Sequence, residues 1–207
     1  VRRGDLTEGS VLRGIGVLAL PMLVGGILQN LQSMIDLWWV GTLGKSAVAA
    51  VAMAGTVLFL LSPLIMGAAT GTIALVARAT GARDYDEANR AAGQSIMVAL
   101  FLGGLSGVVG IFLSGMALDL LSPPPDVVPE GVAYLRISLL GSFTMFGLFI
   151  GNSALQGAGD AITPMVIMAV ANLLNMALDP IFIFGSPPVP AMGVKGAALA
   201  TVLAQAC

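Results

Sequence analysis

Residues 91–118 read AAGQSIMVALFLGGLSGVVGIFLSGMAL, a stretch without one charged side chain. About 20 apolar residues in a helix cross the ~30 Å hydrocarbon core of a bilayer, so this run is long enough to span it. A barrel strand would alternate apolar and polar residues over segments of about ten, and this run is too long and too evenly apolar for that. Outward from it, uncharged runs recur at 14–35, 46–77 and 137–159. Another covers 161–184, broken only by Asp179, and a last one begins near Gly196 and stops at Cys207, too short to cross. The reading is an all-α polytopic transmembrane bundle. Its helices are expected at about 12–40, 47–77, 91–118, 133–158, 162–184 and 194–207, the sixth cut short.

Composition supports the same class. Hydrophobic residues make up 57% of the 207, charged residues 10%, and there is no histidine. Soluble domains carry about 25% charged residues. No stretch is left for a second, soluble domain. An enzyme is disfavoured: no histidine, no cysteine pair and no nucleophile–base constellation is present. No nucleic-acid partner and no cofactor is implied; the lipid bilayer is the first partner. Cys207 is a lone cysteine, so no internal disulfide forms and the redox compartment is not readable. The start at Val1, the absence of a cleavable signal pattern and the end inside a beginning helix give the expectation of an incomplete chain.

The basic residues set an orientation. Arg2, Arg3, Arg13, Arg78, Arg83 and Arg90 fall on the side of the N-terminus, against Lys45, Arg136 and Lys195 on the other. Six against three makes the N-terminal side cytoplasmic, in a multi-pass protein of the cell membrane. The segment Thr80–Arg90 is then inside, and the connectors with Pro123-Pro124-Pro125 and Pro187-Pro188 are outside.

Against that apolar background, two carboxylates lie in the spans. Asp36 lies near the outer end of the first and Asp179 near the outer end of the fifth. At 1.5 Å per residue both sit ~6–8 Å below the outer boundary. Gln29, Gln32, Ser33 and Asp36 follow i, i+3, i+4, i+7 spacing, one helical face, and Asn172, Asn175 and Asp179 follow i, i+3, i+7. Lipid cannot satisfy such faces, so they point to a bundle interior or a hydrated cavity. An amide one turn from a carboxylate suits a cation: Na⁺ held by hard oxygens at Asp36, Asn175 and Asp179, or a proton on a carboxylate. The plainer alternative is a carboxylate snorkelling to water, or one bonding between helices. Pro21 and Pro180 are helix-bending candidates, and Pro180 frees the carbonyl of Met176 beside Asp179; a simple packing kink is the alternative. Gly103, Gly107 and Gly110 with Ser114, and Gly67 with Gly71, read as small-residue packing faces. Trp38 and Trp39 read as an outer aromatic belt, with a cavity-lining ring as the alternative. No lysine or arginine is expected deep in a helix.

Several of these residues also occur in motifs. Asp36-Leu-Trp-Trp-Val-Gly-Thr-Leu-Gly44, Gly81-Ala-Arg-Asp84 with Ala88 and Arg90, and Leu155-Gln-Gly-Ala-Gly-Asp160 with Pro164 come in order. They are followed by Asn172-Leu-Leu-Asn175-Met-Ala-Leu-Asp179-Pro180-Ile-Phe-Ile-Phe-Gly185, Met192-Gly193 and Gly196-Ala-Ala-Leu-Ala-Thr201. Together they resemble the multidrug and toxic-compound extrusion (MATE) transporters over nearly the whole chain. The resemblance implies twelve helices in two six-helix lobes around a central cavity, with this chain as the N-terminal lobe, residues 1–207, and a C-terminal lobe missing. It implies export of small organic, often cationic, compounds by antiport against Na⁺ or H⁺. It implies an ion site at Asp36, Asn175, Asp179 and Thr201, and a bend at Pro21. Gln156 departs from the basic residue many members carry there. Two rival readings stand beside it. One is a lipid-linked sugar flippase of the same superfamily, whose cavity would need several basic residues. The other is a non-transport membrane scaffold or half-subunit, whose polar faces would meet a partner protein.

Overall fold

The structure, a computed structural model, describes residues 11–206. Val1, Arg2, Arg3 and Cys207 lie outside the described residues, as does the side chain of Arg13, so their expected roles in topology and redox chemistry lie outside as well. The order is α1 (Val11–Gly41), α2 (Lys45–Phe59), α3 (Ser62–Gly81), α4 (Tyr85–Asp119), α5 (Val128–Leu140), α6 (Ser142–Gly157), α7 (Ile162–Phe184) and α8 (Val194–Ala206). Residues 91–118 fall inside α4. Among the described residues, α3, α4 and α7 are each long and apolar enough to cross a membrane, and α5 with α6 forms a fourth, bent span. α2 and α8 are shorter apolar helices.

Two expected helices are in fact divided. The run at 47–77 splits into α2 and α3 around Leu60 and Leu61. Pro63 explains it: a proline ring clashes with the carbonyl four residues earlier, here Phe59, where α2 ends. The helix expected at 133–158 starts at Val128 and breaks at Gly141, with a bend of 47°. A side chain at Gly141 would run into Val202 of α8, so the break and the close approach of α8 belong together. Pro21 and Pro180, by contrast, lie inside helices that run on through them.

Small residues let α4 approach the bent span. Gly103, Gly107 and Gly110 are buried, and a Cβ at Gly103 would meet the backbone of Phe143. The hydroxyl of Ser142, at the bend, donates to the carbonyls of Gly103 (2.9 Å) and Leu139 (2.6 Å). Gly67 and Gly71 correct the sequence reading: each faces open space, with nothing within 4 Å of an added Cβ. A 3.6-residue period places them on one face of α3, but not on the face that packs. Large apolar side chains such as Phe101, Phe112 and Leu120 point outward, as a lipid-facing surface requires.

The turns on the N-terminal side carry helix caps. Asp84 accepts from the Glu87 N–H at 3.0 Å, and Asp160 accepts from the Thr163 N–H at 3.0 Å and the Thr163 hydroxyl at 2.7 Å. The α7–α8 connector turns at Gly185 (φ 83°) and then folds back. The Met192 N–H donates to the Phe182 carbonyl and the Gly193 N–H to that of Ile183, both at 3.0 Å. The final carbonyls of α7 are thereby satisfied by protein. Gly196 has no side chain to hold α8 off the same Phe182 carbonyl, so α8 lies directly on α7.

Candidate ion-binding site

That antiparallel docking sets Thr201 of α8 opposite Asn175 of α7. Asn175 and Asp179 are both 0% exposed, one helical turn apart, and α1 brings Gln32 and a half-buried Asp36 against them. The four residues implied as an ion site, Asp36, Asn175, Asp179 and Thr201, therefore meet at one point.

Asn175 stands between the carboxyls. With its amide turned one way, the nitrogen donates to Asp179 Oδ1 at 3.5 Å and to Thr201 Oγ at 3.2 Å. Turned the other way, it donates to Asp36 Oδ1 at 2.6 Å, while its oxygen accepts from the Thr201 N–H (3.3 Å) and hydroxyl (3.2 Å). The hydrogen-bond network decides between them. An ionised Asp36 only accepts, which selects the second arrangement. A protonated Asp36 can donate to the amide oxygen, which permits the first. The end of the Gln32 amide lies 3.0 Å from the same Asn175 atom, so the two amides turn together.

Asp179 Oδ2 is buried and accepts from no donor. A buried carboxylate oxygen left this way is costly unless a proton or a cation holds it. Asp36 is its immediate neighbour. Among the described residues no group of three or more histidine, cysteine, aspartate or glutamate side chains is arranged to hold a metal ion. Two carboxylates, an amide and a hydroxyl fit a proton or a monovalent cation.

Tyr134 of α5 belongs to this surrounding and escaped the sequence reading. It is near enough to feel the charge of both Asp36 and Asp179, and it packs against the buried cluster that includes Val40 and Ile183. A tyrosine near a span end reads as an interface residue; only the fold places it here.

The other candidates divide. Gln29, Gln32 and Asn172 line one small cavity together, deeper than the carboxyls. Ser33 is exposed and donates to the Gln29 carbonyl of its own helix at 3.1 Å. Trp38 is exposed, edge-on to Trp39 at 4.6 Å, and Trp39 meets Phe184 at 5.7 Å. Arg136 lies further into its helix than the sequence reading placed it. Because α5 begins at Val128, Arg136 lies two turns inside it, donating from Nε to the buried Ser114 hydroxyl of α4 at 2.9 Å.

Comparison with known proteins bears on the family and the fold. The MatE family model matches residues 21–181. The chain is 33% identical over 205 residues to the probable multidrug resistance protein YpnP of Bacillus subtilis (strain 168), covering 97% of this chain and 44% of that protein. Among solved structures it superposes with a TM-score of 0.89 on a MOP superfamily transporter from Pyrococcus furiosus Vc1 (DSM3638), at 32% identity over 99% of this chain and 44% of that one. It superposes equally, with a TM-score of 0.89, on a MATE structure in the bent conformation, at 32% identity over 99% of this chain and 45% of that one. The chain thus spans a little under half the length of the proteins it matches. With the motifs in order, the span-forming helices and the family match over most of its length, this multi-pass membrane chain belongs to the MatE family.

Proposed function

We propose that residues 1–207 act as the N-terminal, ion-coupling lobe of a secondary transporter. It exports small organic, often cationic, compounds from the cell in exchange for Na⁺ or H⁺. The carrying observation is the Asp36–Asn175–Asp179 cluster, in which one buried amide reaches either carboxyl but not both at full strength. The multidrug resistance name of its Bacillus relative supports the cargo class.

The coupling follows from the amide. A proton or monovalent cation on the carboxyl pair removes negative charge and releases the Asn175 amide from Asp36. That loosens α1 from α7 and α8. An empty, ionised pair attracts a cationic compound into the adjoining cavity, and a filled pair does not. Coupling needs each ligand to bind the two conformations of the transporter unequally. In this reading the N-terminus is cytoplasmic and the carboxyl pair lies toward the outer face of the cell membrane. One basic residue in a span, Arg136, falls short of the several that a pyrophosphate-bearing cargo requires.

The test uses a full-length MatE transporter carrying this chain. Asp36→Asn and Asp179→Asn each keep side-chain shape and remove the ionising group. Efflux of ethidium from energised cells should fall at least tenfold in either variant at unchanged membrane abundance. Undiminished efflux in either variant rejects the carboxyl pair as the coupling site.

A further inference from the structure

The coupling scheme gives Arg136 nothing to do, although its place is an unusual one for a charge. It lies two turns, ~12 Å, along α5 from Val128. Its Nε donates to the Ser114 hydroxyl of α4 at 2.9 Å. Ser114 is 0% exposed and precedes Asp119, the last residue of α4, by five residues, so the anchor stands ~7–8 Å below the end of that helix. The bond uses one N–H of the guanidinium and leaves the rest of the fork unbonded among the described residues. No aspartate or glutamate of the described residues pairs with it.

The surface around it is one that lipid covers. From Ile96 to Leu113 every exposed side chain of α4 is apolar, and the serine in that stretch, Ser106, is buried. Leu140, one turn beyond Arg136 on α5, is exposed as well. Along 96–113 of α4 and 131–140 of α5, Arg136 is the one exposed polar side chain. α1 differs, for Asn30 and Ser33 stand exposed among its apolar residues, as befits a face toward a hydrated cavity. Hydrocarbon supplies no counter-charge, so a guanidinium fixed at this depth takes one from the lipid itself. Its planar fork of N–H groups matches the oxygens of a phosphate.

We infer that Arg136, anchored on Ser114, binds the phosphate of one glycerophospholipid, whose chains lie over Leu140 and the apolar face of α4. The Ser114 bond sets the plane of the guanidinium and keeps the side chain from snorkelling along its own helix to water. The lipid is thereby held at the α4–α5 seam rather than shared with the bilayer at large. A free phosphate ion would have to shed its water to reach this depth, whereas a lipid phosphate is carried there by its own chains. The site is separate from the carboxyl pair. Arg136 follows Tyr134 by two residues, ~200° around the helix, so α5 turns one face to the pair and nearly the opposite one to the lipid. The inference holds for either orientation of the chain, which decides only the leaflet.

The test takes a delipidated full-length transporter carrying this chain, titrates it in micelles with dioleoylphosphatidylglycerol and counts bound lipid by native mass spectrometry. Dioleoylglycerol, with the same chains and no phosphate, is the second probe. The first phosphatidylglycerol should bind at least fivefold tighter than dioleoylglycerol. Arg136→Gln removes the charge and should bring the two probes level. Ser114→Ala keeps the charge but releases the side chain, and should weaken phosphatidylglycerol binding at least twofold. If Arg136→Gln fails to fold, the two probes on the unsubstituted protein still decide. Equal binding of both probes there, or equal phosphatidylglycerol binding by parent and Arg136→Gln, overturns the inference. So does displacement of the lipid by millimolar inorganic phosphate, which would make this a site for a free ion.

Discussion

Asn175 is the residue on which the candidate site turns. It is fully buried, and its amide lies within reach of both carboxyls and Thr201. Asn175→Leu keeps the branched outline of the side chain and removes the bridge, leaving Asp179 Oδ1 without the Asn175 donor. The loss should cost about 1–3 kcal/mol, the penalty for an unsatisfied buried polar group. Thermal unfolding in detergent checks this: the variant should melt lower than the parent, and a second substitution, Asp179→Leu, should restore part of the loss by removing the stranded carboxylate. An Asn175→Leu variant as stable as the parent would show that the amide bridges nothing. Asp36, Asn175 and Asp179 were legible in the sequence because polar residues at helical spacing stand out in apolar runs. Thr201 came only with the family resemblance, since a threonine in a membrane helix can bond its own backbone, as Thr201 does to the Ala197 carbonyl at 3.0 Å. Tyr134 left no local trace. It acquires its setting from helices far away in the chain.

Among the helices, the apolar runs located nearly every element, and what they missed were the breaks. Pro63 marks one in plain view, but an unbroken apolar run from 46 to 77 masks it. Gly141 marks the other, and a glycine in a membrane helix has no fixed meaning until Val202 arrives against it from α8. The glycines of α3 and α4 make the same point, because identical spacing gave contact in one helix and none in the other. This yields a paired prediction. Gly103→Ala places a methyl against the backbone of Phe143 and should destabilise the chain by about 1–3 kcal/mol, as overpacking does. Gly67→Ala meets nothing and should leave the melting temperature unchanged or slightly raised, since alanine favours helix by up to ~1 kcal/mol. Equal effects of the two substitutions would show that the α4 contact is not close.

For the molecule as a whole, charge asymmetry predicts how it sits in the membrane. Six basic residues on the N-terminal side against three on the other should hold the α3–α4 turn inside. With Cys207→Ser as background, Glu87→Cys should resist a membrane-impermeant maleimide in intact cells, and Pro124→Cys should react within minutes. The reverse pattern would invert the protein and place the carboxyl pair toward the cytoplasm. Its parts are also unequally held. The connector that bonds back to Phe182 and Ile183, with Gly196 seated on the same turn, ties α7 and α8 together at the very end where Asp179 lies. Among the described residues α1 shows no such connector, and Leu20, Leu23, Ile27 and Met34 along it stand exposed. In the coupling proposed above, the α7–α8 pair would be the fixed jaw of a vice and α1 the jaw that an ion's charge at Asp36 would displace.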